Sequence, residues 1–172
     1  MSNSGGSDPA RVAPAIQPTG NRGTGHPAHA RAWQHLAPES RAAWVGFLRA
    51  HARLTAALDA DLRRTTGLSL GEFDVLRTLA GGARRMSDLA DAVLLSRSGL
   101  TRLVERLEGR GLVERTRPPA DVRQVYAALT AAGHGALADA EPDHVRGIRE
   151  AFLDRLTGPE LRTLARIWRH WE

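Results

Sequence analysis

Ser96, Arg97, Ser98, Thr101 and Arg102 fall within seven consecutive positions of the chain. Small hydroxyls give and accept short hydrogen bonds. A guanidinium group lays two parallel donors on a phosphate or a guanine edge, which an ammonium cannot do. Leu100, Leu103, Val104 and Leu107 recur at helical spacing, so their shared face must be buried, and most of the polar groups lie off that stripe. A helix that begins in this way suits a DNA major groove, where its N-terminal dipole also favours phosphate. The spacing predicts a helix over 96–110. Ser96, Ser98 and Thr101 are expected at phosphates or base edges, and Arg97 and Arg102 at guanine edges. The same residues allow a plainer arrangement, in which Ser96 only caps the helix and Arg102 pairs with Glu105 or Glu108.

Two short strand patterns follow, separated by Pro118-Pro119 and carrying Arg115, Arg117 and Arg123. They read as a charged hairpin, or wing. Arg123 is placed for insertion into a narrow minor groove, where negative potential attracts guanidinium. Asp121 is expected to fix the turn by accepting hydrogen bonds. Arg117 is either a DNA contact or a solvated charge beside the turn. Arg84 and Arg85 are lesser phosphate candidates. Between residues 94 and 123 there are seven Arg and four acids, a surplus of three out of the chain's net +5.

These residues need a frame, and apolar periodicity supplies one. Helices are predicted at about 38–66 (α1), 69–80 (α2), 87–93 (α3), 96–110 (α4), 131–156 (α5) and from 157 to the C-terminus (α6). Pro38 suits a first helical turn, and Gly67 a stop. Ser69 with Glu72, and Thr157 with Glu160, have capping-box spacing. Pro142 is expected to kink α5. Residues 1–37, rich in Gly, Pro, Ser and Ala, read as a flexible tail without periodicity.

Composition excludes several classes. All 24 basic residues are Arg and there is no Cys among the 172 residues, which removes disulfides, thiolate zinc sites and cysteine redox chemistry. No apolar run approaches the roughly 20 residues of a membrane span, and the N-terminus is unlike a secretory signal. A cytoplasmic protein without membrane partners or cofactors is expected. No G-x-S-x-G, phosphate-binding Gly loop or H-E-x-x-H occurs, so an enzyme is not expected.

Together, SGLTRLVERLEGRGLVER and the later Asp121, Val122, Arg123, Leu129-Thr130 and Gly133 resemble the MarR family of bacterial winged helix-turn-helix repressors, across roughly residues 39–172. The resemblance implies a mostly α fold with a small β-wing, in which a winged helix-turn-helix domain is joined to a helical dimerisation region (α1, α5, α6). Residues 38–172 would form that domain, with a DNA-binding lobe at about 69–130 and dimerisation helices at about 38–66 and 131–172. It implies a homodimeric repressor binding double-stranded DNA at a pseudo-palindromic operator and released by a small-molecule, anionic aromatic effector. Phe152, Leu153, Leu156, Leu161, Leu164, Ile167, Trp168 and Trp171 independently offer more apolar surface than a peripheral hairpin can cover. Trp44 and His51, one helical stripe apart, are candidates to hold the effector, the alternative being ordinary core or dimer residues.

Two other readings remain. His134, Asp139, Glu141, Asp143 and His144 cluster around Pro142 and would suit a metal-responsive regulator of the same fold, or simply a polar helix surface. A dimeric interaction module that does not bind DNA would also fit, though Arg123 argues against it.

Overall fold

The computed structural model describes Trp33, residues 35–117 and residues 124–171. The chain divides into two units, residues 1–42 and 43–172, and the second carries the site. Almost all of the expected tail, and the wing tip with Asp121 and Arg123, lie outside the described residues. The architecture is mostly helical with one small antiparallel sheet: α1 (Pro38–Thr66), α2 (Leu70–Leu79), β1 (Arg84–Arg85), α3 (Met86–Ala92), α4 (Arg97–Gly109), β2 (Val113–Thr116), β3 (Tyr126–Leu129), α5 (Ala131–Ala151) and α6 (Gly158–Trp168).

Local chemistry sets the helix ends. α1 stops at Gly67, which takes φ +70. Asp59 of α1 then accepts a hydrogen bond from the Leu70 N–H (2.8 Å), answering one of the four unpaired donors that open α2. The capping box of Ser69 and Glu72 forms as the spacing predicts, and so does that of Thr157 and Glu160.

Two expectations needed correction. The sequence predicts two strands and the described residues form three, in the order β1-β3-β2, with Arg84 opposite Ala127 and Val113 opposite Leu129. β1 is two exposed arginines, and only backbone pairing with β3 makes it a strand. α5 also ends five residues early, because Phe152 leaves helical geometry (φ −132, ψ −61) before a short 3-10 turn at Leu153–Arg155. Pro142 lies inside α5, which continues across it as one helix.

The core gathers Leu62, Phe73, Leu76, Leu79, Leu89, Leu100, Val104, Leu107, Val113 and Ala127. It is the apolar stripe of α4 set against α2, α3 and the sheet. The start of α5 is joined closely to the end of the helix-strand turn. The Thr130 N–H donates to the Leu112 carbonyl (3.1 Å) and the Thr130 hydroxyl to the Gly111 carbonyl (2.6 Å). A Cβ on Gly133 would fall 2.0 Å from the Leu112 carbonyl oxygen, so no side chain is possible there. Further along α5, Arg146 donates to Asp61 of α1 (3.3 Å). No residue of α6 is buried in the single chain.

Candidate nucleic-acid interface

α4 buries Leu100, Leu103, Val104 and Leu107, which fixes its roll and leaves its first turn exposed. At the N-cap, Ser96 Oγ accepts a hydrogen bond from the Gly99 N–H (3.1 Å) and sits 3.4 Å from Ser98 Oγ. Ser96 is thus a cap, and it is exposed. The Thr101 hydroxyl, half-buried, donates to the Arg97 carbonyl (2.9 Å). Arg97, Ser98 and Arg102 are exposed. Neither Arg97 nor Arg102 has a carboxylate partner among the described residues, so the Arg102–Glu105 and Arg102–Glu108 pairings do not occur.

The glutamates of α4 serve another arginine. Arg115 of β2 donates from Nε to Glu108 (2.8 Å) and lies 3.9 Å from Glu105. Arg106 reaches Glu72 of α2 (3.3 Å), and Arg110 is 3.8 Å from the same carboxylate while bonding the Gly67 carbonyl (3.3 Å). Three of the seven arginines between 94 and 123 are therefore tied to carboxylates. Among the described residues, the charges left for an outside partner are Arg97, Arg102 and Arg117, all exposed. The positive surplus is concentrated at the first turn of α4 and toward the wing.

Glu72 is the residue that sequence reasoning undervalued. It is only 5% exposed, and burial pushes its carboxyl up. The Ser69 N–H (2.8 Å), the Ser69 hydroxyl (2.9 Å) and Arg106 outweigh burial, and the pKa lies below the ordinary value. The capping spacing was readable, but its reach to an arginine 34 residues on was not.

Beside the first turn of α4 lies a depression of about 490 Å³, lined among others by Arg85, Ser87, Arg97, Thr101 and Gln124. Arg85 donates to the Tyr126 hydroxyl (2.8 Å), with its guanidinium carbon 5.8 Å from the ring centroid. Arg84 bonds the Thr78 carbonyl (3.2 Å). These contacts fix both arginines at the β1–β3 pairing, and Arg85 shares the depression with Arg97 of α4.

Trp44 and His51 do not enclose a cavity. Both flank Phe47 on α1, with ring centroids 6.1 and 6.3 Å away, and Phe47 in turn meets Trp168 of α6 (5.7 Å). Trp44, Phe47, Ile167 and Trp168 line an open apolar groove of about 620 Å³. Trp44 is 49% and Trp168 43% exposed. The polar residues around Pro142 disperse as well: His144 packs against Phe73 (4.3 Å between ring centroids), and Asp143 pairs with Arg146. Among the described residues no three His, Asp or Glu side chains form a metal-holding group, and no helix is long and apolar enough to cross a membrane.

The family model described as MarR family matches residues 66–124. The transcriptional regulator MhqR of Bacillus subtilis is 36% identical over 85 residues, or 49% of this chain and 59% of that protein. The alignment thus spans less than two thirds of that relative. Among solved structures, Sco3205, a MarR family transcriptional regulator from Streptomyces coelicolor in complex with DNA, superposes with a TM-score of 0.72 at 34% identity, covering 78% of this chain and 89% of that one. BpsR of Bordetella bronchiseptica, whose DNA binding is regulated by 6-hydroxynicotinic acid, gives 0.66 at 26% identity, covering 74% and 98%.

Proposed function

We propose that this chain, which belongs to the MarR family of transcriptional regulators, is a cytoplasmic, sequence-specific DNA-binding repressor with no catalytic role. The observation that carries this is the division of its arginines. Arg106, Arg110 and Arg115 are tied to carboxylates, whereas Arg97 and Arg102 stand exposed at the first turn of α4. Arg97 and Arg102 read guanine edges in the major groove, and Ser98 and Thr101 contact phosphate or base edges. Ser96 holds the cap that aims them. Arg123 follows the minor groove, Arg117 is a further DNA contact, and Asp121 shapes the wing turn.

The working unit is a homodimer. The open aromatic groove of α1 and α6, and an α6 with no buried residue, give a lone subunit an apolar face that a second copy would cover. Two copies of α4 about one DNA turn apart read a pseudo-palindrome. An anionic aromatic molecule, as in BpsR, is the effector class that we assign. Trp44 and His51 remain its candidate contacts, although their place beside Phe47 and Trp168 suits the dimer face at least as well.

Selection from a random duplex pool, followed by anisotropy titration over a salt series, tests the reading. A single enriched pseudo-palindrome and a steep loss of affinity with salt are expected. Arg97→Ala, Arg102→Ala and Arg123→Ala should each weaken binding about tenfold or more at unchanged melting temperature. No enrichment, or binding indifferent to all three substitutions, refutes it. Trp168→Glu should yield monomers by light scattering, and a dimeric mass would refute the interface.

A further inference from the structure

Leu94 is costly to the free protein in two ways at once. Among the described residues the left-handed backbone region is taken by Gly67, Gly82 and Gly111, and by one residue that is not glycine, Leu94 at φ 54. In that conformation Cβ crowds the neighbouring carbonyl oxygen, a clash glycine avoids and leucine does not. The Leu94 side chain is also 92% exposed, so no burial offsets the strain. The turn does not need a leucine to close. Its backbone hydrogen bonds, Leu94 N–H to the Asp91 carbonyl (3.3 Å) and Leu95 N–H to the Ala90 carbonyl (3.0 Å), form whatever the side chain. A glycine would serve the fold better, which points to a use outside the fold.

The position of Leu94 indicates that use. It stands two residues before the Ser96 cap and three before Arg97, at the mouth of the turn that the proposed function puts in the major groove. Leu95 beside it is 36% exposed, and the other exposed groups there, Ser96, Arg97, Ser98 and Arg102, are polar. The apolar group that a major groove displays is the C5-methyl of thymine, absent from cytosine. We propose that Leu94 is a specificity-determining residue, packing its isobutyl group on a thymine methyl at the edge of each operator half-site. The proposal rests on the DNA-binding reading and adds a base preference that arginines and hydroxyls do not supply.

Deoxyuridine tests it at the level of one methyl group. In the selected operator, thymines are replaced with deoxyuridine one symmetry-related pair at a time, and full-length protein is titrated against each duplex. The wild type should lose about fourfold per half-site at one pair, the worth of one buried methyl. Leu94→Ala keeps the left-handed strain but lacks the reach. It should bind the thymine and deoxyuridine duplexes alike at that pair, while still responding to Arg97→Ala. Leu94→Gly should melt a few degrees higher than wild type yet bind the operator more weakly. Identical deoxyuridine profiles for wild type and Leu94→Ala overturn the proposal. So does a Leu94→Gly protein that gains stability with undiminished affinity. A wild type that binds no duplex at all sinks the DNA-binding reading itself, a result distinct from either.

Discussion

Glu72 joins the cap of α2 to the flank of α4, and two substitutions separate these tasks. Glu72→Gln keeps a side-chain oxygen that can still accept from the Ser69 N–H, since glutamine also completes a capping box. It loses the charge that faces Arg106 and Arg110. Both arginines are well exposed, with side chains 59% and 41% accessible, so solvent weakens the pairs and the loss should be about 1 kcal/mol. Glu72→Ala removes the acceptor too, leaving the enclosed Ser69 N–H unanswered. The broken cap and that orphaned donor raise the loss to about 2–3 kcal/mol. Urea unfolding at pH 7 measures both. The pH dependence adds a second check. The carboxyl's pKa is lower in the folded chain than its ordinary value of 4.5. Its contribution is therefore fully present above about pH 4.5 and declines as pH falls through the folded value. Both substitutions should flatten that acid limb. A Gln variant as stable as wild type with an unchanged limb would refute the argument, and one as damaging as Ala would show that the arginine contacts, and not the cap, carry the weight.

Gly133→Ala should destabilise by about 3 kcal/mol or more because its Cβ meets the Leu112 carbonyl. A higher melting temperature, the ordinary result for glycine within a helix, would contradict that contact. Arg115→Ala should lower thermal stability by about 0.5–1 kcal/mol through loss of the Glu108 pair, and should barely change operator affinity. A tenfold drop would place Arg115 on the DNA instead. His144 packs on Phe73, and burial pushes its pKa below 6.5 against the opposing pull of Asp74, with Arg77 and Glu141 also near. Stability should fall as pH drops from 6.5 toward the folded value, because the unfolded chain binds the proton first. His144→Leu should flatten that limb in thermal melts between pH 7 and 5, and an unchanged slope would refute the assignment.

The sequence spoke most clearly where the physics is local. Ser69 with Glu72, Thr157 with Glu160 and the Ser96 cap lie within three residues of what they bond, and the stripe of α4 is a periodicity in the chain itself. What escaped reading depends on partners distant in sequence. β1 is two charged residues whose strand character exists only opposite Ala127 and Tyr126. The arginine surplus near α4 counts charges, but which of them face outward depends on Glu72, 34 residues before Arg106. Leu94 could not be read as strained, because its φ belongs to the turn that α3 and α4 impose. The early end of α5 at Ala151 likewise has no glycine or proline to announce it.

The seam between Thr130, Gly133 and Leu112 has a mechanical consequence. Where two elements meet through side chains, small rotations are absorbed by rotamer changes. Here the start of α5 is held by one backbone hydrogen bond and one from the Thr130 hydroxyl, and Gly133 leaves no room for a side chain against the Leu112 carbonyl. α5 has 21 residues, which makes it a rod of about 31 Å. A tilt of about 5° about the seam carries its far end through about 3 Å. Run in reverse, a displacement of that size at the far end would turn the Gly111–Leu112 junction that follows α4 by about 5°. α5 is a lever whose short arm is the junction between α4 and β2.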